Sequence, residues 1–389
     1  MKILYHHRIA SKDGQYVHVS EIVGSLRRLE VELRMVSPAL ADSQQFGGEL
    51  GLVATLKRRL PKAIYEAMEL GYAAIDFVKM VVTIVRFRPT VVYERYNLFL
   101  PSGVLAAKLL RVPLILEVNA PLYDERLRYG GLALKRLARW TEKFVWRNAD
   151  AVLPVTHVLA ARVVQEGVRP DKVEVIPNGV DGAQFSASVQ PTTIPRFPAG
   201  SVVVGFVGFC REWHQLDKVV TLIAENPSSK LALLVVGDGP AIPELKEQVT
   251  RLGCTDRVHF AGLVGRNEMP AWLAAIDIAI QPAVVPYASP LKLIEYMASG
   301  KAIVAPAQDN IRELLSHEEN ALLFGENDSR QFLSALLRLA GDEPLRDRLA
   351  AGARNTVREM ALSWDENARK IVKIANSLST LTSSESLSQ

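Results

Sequence analysis

Cysteine is scarce in this 389-residue chain, which contains only Cys210 and Cys254. Two cysteines cannot build a disulfide framework, and they cannot supply a four-cysteine zinc site. Their scarcity excludes a disulfide-stapled class of protein and favours a reducing compartment.

Long hydrophobic runs are also lacking. The longest apolar stretch, Ala73–Val85, is interrupted by Asp76 and Lys79 and is shorter than the ~20 residues that a spanning helix needs. The apolar start Met1–Tyr5 runs directly into polar residues and is too short for the core of a secretory signal. We therefore expect a cytoplasmic protein, and the inner face of the cell membrane is one place in the cytoplasm where it could act.

Neither sign of charge dominates, because 46 Lys and Arg side chains stand against 42 Asp and Glu, a formal net charge of +4. The halves differ, however: residues 1–180 contain 26 basic and 18 acidic side chains, and 181–389 contain 20 and 24. A basic half favours an anionic partner such as a membrane surface or a phosphorylated substrate, with a chance surplus as the alternative. With 49% apolar residues, the chain is typical of folded proteins, and its length predicts two or three domains.

Short apolar runs alternate with longer helical patterns along the whole chain. Such strands, apolar on both faces and separated by helices, predict parallel sheets covered on both sides, and hence two doubly wound α/β units. The predicted strands are Lys2–Tyr5, Glu32–Val36, Val91–Tyr93, Leu114–Val118, Ala151–Pro154, Val173–Ile176, Val202–Val207, Leu231–Val236, Val258–Ala261, Ile278–Gln281 and Ala302–Ala305.

The stretch Leu52–Arg88 is helical in pattern and basic, with Lys57, Arg58 and Arg59 beside apolar residues. One interpretation is an interfacial helix whose cations meet anionic lipid headgroups. The alternative is a helix pair that covers the sheet and exposes its lysines to solvent.

Glycines follow two predicted strands of the second half. Gly208 begins the loop that includes Arg211 and His214, and Gly237 and Gly239 follow the next strand. In parallel sheets ligands bind beyond the carboxyl ends of the strands, and glycine lets the backbone approach a ligand closely. A tight turn is the alternative, and the third glycine of a dinucleotide fingerprint is missing.

The segment Ser289–Gly300 carries the strongest signal. Ser289 as N-cap and Pro290 as first helical residue predict a helix whose first amides bind a phosphate. Glu295 lies inside this otherwise apolar helix, where an ionised carboxylate is costly unless it has a partner. Ribose hydroxyls would satisfy it, and a salt bridge to a nearby Arg or Lys is the alternative.

Together with Val-Ile-Pro-Asn-Gly-Val-Asp at 175–181, Val-Gly-Asp-Gly-Pro at 236–240 and Val-His-Phe-Ala-Gly at 258–262, this segment resembles the family 4 glycosyltransferases. These are retaining enzymes of the GT-B fold, in which two Rossmann-like domains face each other across a cleft. The chain is most similar to the bacterial branch that assembles cell-surface polysaccharides, where Ser-Pro-Leu-Lys-Leu-x-Glu-Tyr-Met-Ala and Val-Tyr-Glu-Arg-Tyr recur.

The resemblance implies an acceptor-binding domain over 1–185 and a nucleotide-sugar-binding domain over 201–363. The stretch 186–200, with three prolines after residue 190, is predicted to link them. A last helix, 364–378, would cross back to the first domain, and the Ser- and Thr-rich tail 379–389 is expected to be flexible.

The resemblance also implies roles for residues. Glu295 would hold the ribose of a UDP- or GDP-sugar, and the amides of Leu291 and Lys292 would meet its diphosphate. The remaining residues expected on the donor side are Gly14, Gly208, His214, Gly237, Gly239, Gly262, Tyr287, Ser289 and Pro290. On the acceptor side we expect Glu94 and Arg95, because they follow a predicted strand at its carboxyl end. We also expect His18 there, with a satisfied structural histidine as the alternative, and Asn119, which stands where the family often has a histidine.

Several positions depart from the family pattern. Tyr287 stands where the first glutamate of the Glu-x7-Glu motif is expected, and Phe209 and His214 replace the family's basic pair. Arg211 and Lys292 are the substitute cations, which with Glu295 form the predicted catalytic set.

The predicted reaction transfers a sugar, of the hexosyl type, to a glycan or polyprenyl-linked acceptor, with no cofactor, no metal and no nucleic acid. Peripheral contact with an anionic membrane is a further expectation. A nucleotide-sugar epimerase of the same fold and a non-catalytic sugar-nucleotide-binding partner of a polysaccharide assembly complex are the alternatives.

Overall fold

The computed structural model describes residues 1–9, 14–38, 60–193 and 197–387, with no account of side chains beyond residue 380. The chain forms two compact units. Unit 1 comprises Met1–Asn178, Tyr287–Ser289 and Trp364–Gln389, and unit 2 comprises Gly179–Pro286 and Pro290–Ser363.

Unit 1 contains a five-stranded parallel sheet in the order β2-β1-β3-β4-β5. Three of its strands, β3, β4 and β5, are buried along their whole length, as the apolar runs predict. The strands are β1 (Lys2–His6), β2 (Glu32–Val36), β3 (Val91–Arg95), β4 (Leu114–Val118) and β5 (Ala151–Pro154).

Helices cover this sheet, and Trp146 is the largest fully buried side chain of the core they form on it. They are α1 (Gly14–Arg28), α2 (Lys62–Phe87), α3 (Ser102–Leu109), α4 (Leu122–Glu125), α5 (Lys135–Asn148), α6 (His157–Gln165) and α14 (Trp364–Leu387). A π-helical turn, Arg126–Gly130, continues α4.

Unit 2 contains a six-stranded parallel sheet in the order β11-β10-β9-β6-β7-β8. Its strands are β6 (Val202–Val207), β7 (Leu231–Val236), β8 (Val258–Gly262), β9 (Ile278–Ile280), β10 (Ala302–Pro306) and β11 (Leu322–Phe324). Two apolar clusters are built from alternate residues of these strands, so the sheet is covered on both faces.

The helices of unit 2 follow its strands in βα order. They are α7 (Leu216–Glu225), α8 (Ile242–Arg251), α9 (Met269–Ala274), α10 (Leu291–Ala298), α11 (Asp309–Arg312), α12 (Ser329–Gly341) and α13 (Glu343–Glu359). The prediction of two doubly wound α/β domains is confirmed.

One strand prediction is wrong and one strand was missed. Val173–Ile176 is not a strand of the sheet: it forms an isolated bridge between Val152 and Val173, and the amides of Glu174 and Ile176 donate to carbonyls of β5 at 3.1 and 3.0 Å. The strand Leu322–Phe324 is absent from the prediction.

The predicted domain boundary near residue 185 is also wrong. The chain passes from unit 1 to unit 2 between Asn178 and Gly179, because Val180 pairs with Ser363 and Phe185 is buried in the core of unit 2. Residues 194–196 of the predicted linker 186–200 lie outside the described residues. The described part of this stretch belongs to unit 2, where Phe197 packs against the same core.

The last helix, α14, belongs to unit 1 and packs on α1. It continues to Leu387 instead of ending near residue 378. The hydroxyls of Ser379 and Thr380 donate to the carbonyl of Asn376, a bonding pattern that lets such residues stay helical.

The structure describes the stretch 52–88 only from residue 60, and helix α2 begins at Lys62. Lys57, Arg58 and Arg59, the cations of the predicted interfacial helix, lie outside the described residues. Among the helices that the structure describes, none is long and apolar enough to cross a membrane.

Candidate active site

The strand order reverses beside the first strand of each unit. In unit 2 this point lies between β6 and β9, and in unit 1 it lies between β1 and β3. Loops that leave the carboxyl ends of strands on either side of such a point form the usual ligand crevice of doubly wound sheets.

In unit 2 the loops after β6, β7 and β8 are joined through glycine backbone. The amide of Gly237 donates to the carbonyl of Gly262 at 2.8 Å, and the amide of Cys210 donates to that of Asp238 at 2.7 Å. A Cβ atom on Gly237 would lie 2.2 Å from the carbonyl oxygen of Gly208, and one on Gly239 would lie 2.1 Å from that of Cys210. Both positions have positive φ, so only glycine permits these loops to approach each other.

Helix α10 follows the loop that leaves the carboxyl end of β9, so its N-terminal turn lies at this end of the sheet. It begins at Leu291, and Pro290 is its N-cap residue. The amide of Leu293 donates to the carbonyl of Pro290 at 3.1 Å, so the amides of Leu291 and Lys292 are the first-turn donors suited to an anion.

Lys292 is the cation of this turn. Its Nζ donates to the carbonyl of Val207 at 3.1 Å and lies 4.3 Å from the ring centroid of Phe206. Burial lowers its pKa to about 8 although Glu295 opposes the shift. A charge held in so poorly hydrated a place is suited to pairing with a phosphate.

Glu295, one turn further along α10, is buried and forms an ion pair with Arg266. The guanidinium of Arg266 also lies 4.6 Å from the ring centroid of Phe185. The salt-bridge alternative for Glu295 is therefore realised in this structure, with a partner that the sequence did not identify. Arg266 lies 29 residues away along the chain, and no spacing rule connects the two.

Arg211 lies between two exposed aromatic rings, with its Cζ 4.9 Å from the centroid of Phe209 and 5.0 Å from that of Trp213. These contacts hold a cation in the loop after β6. His214, in contrast, is buried, accepts a hydrogen bond from the amide of Arg211 at 3.0 Å, and has its pKa lowered to about 3 by burial and by the charge of Lys292. His214 therefore cannot replace the family's second basic residue at neutral pH.

Ser289 is not the N-cap of α10, contrary to the prediction. Its hydroxyl accepts a hydrogen bond from the amide of Asn178 at 3.1 Å, and its carbonyl accepts one from Asn178 Nδ2 at 2.5 Å. The serine is thus occupied within unit 1, and Pro290 is the N-cap instead of the first helical residue.

Tyr287 also lies in unit 1. Its hydroxyl donates to Glu125 Oε2 at 3.0 Å, and its carbonyl accepts from the hydroxyl of Thr156 at 3.0 Å. Burial and the carboxylate of Glu125 raise the pKa of Tyr287 above its usual range. The residue that replaces the first motif glutamate is therefore a neutral donor bound to a carboxylate.

In unit 1, Glu117 is the centre of a buried network. It accepts hydrogen bonds from Tyr93 at 2.6 Å, from Arg95 and from Asn119, and His18 Nε2 lies 2.9 Å away. Burial opposes ionisation of Glu117, but the charges of His18 and Arg95 outweigh it and hold the pKa well below its usual range. Three of the four residues predicted on the acceptor side, His18, Arg95 and Asn119, thus meet at one carboxylate.

The fourth, Glu94, is fully buried and binds His6, whose Nδ1 lies 2.7 Å from Glu94 Oε2. The other ring nitrogen of His6 lies 2.9 Å from Asp76 Oδ2. Burial alone would lower the pKa of His6, but the two carboxylates raise it to about 10. In this structure Glu94 has no surface for direct contact with an acceptor.

Gly14 is exposed and begins α1. Residues 10–13 before it lie outside the described residues. Among the described residues, no group of three or more His, Cys, Asp or Glu side chains is arranged to hold a metal ion.

The predicted residues therefore form two groups. Unit 2 brings together Gly208, Arg211, His214, Gly237, Gly239, Gly262, Pro290, Leu291, Lys292 and Glu295 at the carboxyl ends of its strands. Unit 1 contains Gly14, His18, Glu94, Arg95, Asn119, Tyr287 and Ser289. The sequence did not identify Arg266, Asn178 or Glu117 as site residues. Asn178 lies within the motif at 175–181, and Glu117 lies within a predicted strand.

Comparison with known protein families gives two matches. Residues 13–179 match the profile described as "Glycosyl transferase 4-like domain", and residues 201–342 match "Glycosyl transferases group 1". Together the two profiles cover most of the chain.

Two curated relatives show the level of sequence similarity. A D-inositol 3-phosphate glycosyltransferase of Nocardioides sp. is 28% identical over 308 residues, which are 73% of this chain and 66% of the relative. The lipopolysaccharide core biosynthesis mannosyltransferase LpsB of Rhizobium meliloti is 26% identical over 300 residues, 74% of this chain and 79% of the relative.

Among solved structures, Anabaena HepE in complex with UDP is similar with a TM-score of 0.73 at 19% identity, covering 97% of this chain and 100% of that chain. The complex of the same protein with UDP-glucose gives a TM-score of 0.69 at 21% identity and the same coverage.

Proposed function

Because the chain belongs to the family 4-like glycosyltransferases of the GT-B fold, we propose that it transfers a hexose from a UDP- or GDP-sugar to a hydroxyl of a glycan or lipid-linked glycan acceptor in surface polysaccharide synthesis. The observation that carries this proposal is the placement of Lys292 and Glu295 on α10, beside the glycine loops at the switch point of unit 2. An anion site and a carboxylate one turn apart suit the two polar parts of a nucleoside diphosphate, its phosphates and its ribose.

Each charged group at α10 then has a role with the donor. The first-turn amides of α10 and the ammonium of Lys292 bind the diphosphate, and Glu295 accepts hydrogen bonds from the ribose hydroxyls. Arg211, held between its two aromatic neighbours, supplies the second cation. Cations fixed beside the diphosphate stabilise the negative charge that grows on it as it departs.

Arg266 is a positioning residue in this scheme, because its ion pair aims the carboxylate of Glu295. His214 remains neutral and contributes hydrogen bonding only.

We propose a retaining reaction. The acceptor oxygen forms the new bond to the anomeric carbon on the face from which the diphosphate departs, the bond from that carbon to the phosphate oxygen breaks, and the departing phosphate takes the acceptor proton. This route needs positioning and electrostatic stabilisation more than a catalytic base. It requires no resident cofactor.

His18, Arg95 and Asn119 are proposed to act on the acceptor through the network around Glu117. A lipid-linked acceptor would bring the protein to a membrane surface, so contact with an anionic membrane is part of the proposal. The D-inositol 3-phosphate glycosyltransferase and the mannosyltransferase among the relatives support the reaction class, while their different names leave the acceptor of this chain to experiment.

The test is a transfer assay with a panel of UDP- and GDP-sugars, in which nucleoside diphosphate release and the anomeric configuration of the product are measured. We expect one donor to be used with retention, and Glu295→Ala to abolish transfer while the melting temperature stays near that of the wild type. Glu247→Ala, at an exposed acidic residue of α8, is the matched control. Release of nucleoside diphosphate by Glu295→Ala at the wild-type rate would contradict the ribose assignment, and donor turnover without acceptor would favour an epimerase.

A further inference from the structure

Helix α2 has an unusual distribution of polarity, because its inward face contains acidic side chains as well as apolar ones such as Met80 and Ile84. All three of its acidic side chains, Glu66, Glu69 and Asp76, are buried against unit 1. Surface helices of folded proteins normally direct apolar residues inward and charged residues outward.

Each buried carboxylate has a partner inside unit 1. Glu66 accepts hydrogen bonds from the amides of Ala133 and Leu134, at 3.0 and 2.6 Å, just before α5 begins. Glu69 forms a bidentate pair with Arg126, at 2.6 and 2.7 Å. Together with the contact of Asp76 to His6, these bonds fix the rotation of α2 about its axis, so the helix cannot turn its other face inward without breaking them.

The outward face of α2 is apolar. Ile75 and Val78 expose 58% and 59% of their surface, and Gly71 lies on the same face. The exposed residues recur at alternating spacings of four and three, which aligns them in one stripe about 32 Å long at the rise of an α-helix. We call the following residues the α2 stripe: Ile64, Met68, Gly71, Ile75, Val78, Val82 and Val85.

The exposed charged residues of α2, with its C-cap residue included, are all of one sign. Lys62, Lys79, Arg86 and Arg88 are exposed, and no acidic side chain of α2 is exposed. Such a surface attracts an anion, and it repels a second copy of itself whether the two helices run parallel or antiparallel.

A cavity of about 490 Å³ adjoins the C-terminal end of the α2 stripe. Val82 lines it together with three cationic side chains, Lys2, Arg34 and Arg86, against one acidic side chain, Glu32. The cavity is therefore suited to an anionic group that is attached to an apolar body lying along the stripe.

We propose that the α2 stripe and this cavity form a docking surface for a bilayer that contains anionic lipid. The stripe lies in the boundary between headgroups and acyl chains, the basic residues beside it contact lipid phosphates, and the cavity receives one headgroup. The surface uses none of the donor residues. The proposed function gives it a purpose, namely to bring the protein to a lipid-linked acceptor, and the proposal rests on the proposed function only to that extent.

The test is flotation of the full-length protein with vesicles of phosphatidylcholine alone or of phosphatidylcholine with phosphatidylglycerol. We expect binding to the anionic vesicles that weakens as salt is added. Ile75→Ser with Val78→Ser should weaken binding on the order of tenfold, because two exposed apolar side chains no longer enter the boundary region. Arg34→Ala with Arg86→Ala should weaken it by a similar factor, about tenfold or more, and reduce the preference for phosphatidylglycerol.

Matched controls come from unit 2, where Leu252→Ser removes another exposed apolar side chain and Arg251→Ala with Arg330→Ala removes two exposed cations. Both controls should bind vesicles like the wild type. UDP and GDP binding, measured in parallel, reports on the donor site, so a failure of the proposed function is distinguished from a failure of this surface.

Absence of wild-type binding to anionic vesicles would overturn the proposal, as would unchanged binding by both double variants with their melting temperatures intact. A dimer that Ile75→Ser with Val78→Ser dissociates, without any vesicle binding, would identify a second copy as the occupant and would also overturn it.

Discussion

The charge of Lys292 is the residue-scale feature with the clearest consequence. Its pKa is lowered to about 8 by burial, so the ammonium that is proposed to bind the diphosphate is lost just above neutral pH. An anion bound beside it favours the charged form and would raise this pKa again.

We predict that the affinity for the bound nucleoside diphosphate falls as the pH rises through about 8. Lys292→Met should bind on the order of tenfold to hundredfold more weakly below that pH, because one charge-assisted hydrogen bond is lost, and should show little further decrease above it. Calorimetric titration with UDP and GDP across this pH range measures both effects. Lys246→Met, at an exposed lysine of α8, is the control. An affinity that does not change through pH 8 in the wild type would rule out Lys292 as the titrating contact.

Residue-scale prediction from sequence succeeds where chemistry is local. Glu295 was recognised because a carboxylate in an apolar helix requires a partner, whichever partner that is. Arg266 was not recognised, since a contact made by folding across 29 residues has no signature in spacing. His214 is a second case in which the fold, not the residue type, determines the charge. A histidine can be a cation, but burial lowers the pKa of His214 and keeps it neutral.

At the scale of elements, β1, β3 and α2 are joined by the buried triad of His6, Glu94 and Asp76. Ser102, at the start of α3, donates a further hydrogen bond to Asp76 at 2.5 Å. The imidazolium of His6 balances the charge of the two buried carboxylates. Without it, two unpaired carboxylates in the core would strongly destabilise the fold.

The folded-state pKa of His6 is about 10, above the ordinary histidine value of 6.5, so its contribution to stability is fully present below pH 6.5 and is lost as the pH rises through about 10. We predict that His6→Asn lowers the free energy of unfolding by about 3–5 kcal/mol near neutral pH and that the difference from wild type shrinks as the pH approaches 10.

Urea unfolding at a series of pH values measures this difference for the His6 variant, with hydrogen exchange of the β1 and β3 amides as a local probe. His157→Asn, at an exposed histidine of unit 1, is the control. A difference from wild type that grows with rising pH would contradict a protonated His6.

Element prediction from sequence was accurate for most strands. Leu114–Val118, Ala151–Pro154, Val202–Val207 and Leu231–Val236 are buried along their whole length and have the predicted ends, because almost all of their residues are apolar. The edge strand Glu32–Val36 also has the predicted ends, although it is not buried. Ser289 was placed wrongly, since its local pattern suits an N-cap and Asn178 takes its hydroxyl instead. Tertiary contacts of this kind override local preference and leave no pattern along the chain.

At the scale of the whole molecule, the chain changes units at points that composition does not mark. The proline-rich stretch 186–200 was expected to link the domains, and its described part belongs to unit 2. Tyr287–Ser289 belongs to unit 1 although the residues on both sides of it belong to unit 2. Such returns depend on tertiary hydrogen bonds, among them those from Thr156 to Tyr287 and from Asn178 to Ser289, which no length or composition rule can anticipate.

Family resemblance, in contrast, was a whole-molecule property of the sequence. Motifs spread from residue 92 to residue 300 occur in the family's order, and the two matching profiles cover both units. A single short motif such as Gly-x-Gly is equally typical of a simple turn. Several motifs in the family's order, spread over both units, identify the family.

The central claim is that unit 2 binds a nucleoside diphosphate at the N-terminus of α10 with Glu295 on the ribose. Its most direct test is the thermal stability of the purified protein with UDP, GDP or ADP, with and without magnesium. We predict that one nucleotide raises the melting temperature, since a ligand at ~100 times its dissociation constant adds about 2.7 kcal/mol to the native state. Glu295→Gln should remove most of that increase. If no nucleotide stabilises the wild type, or if Glu295→Gln is stabilised as much as the wild type, the claim is contradicted.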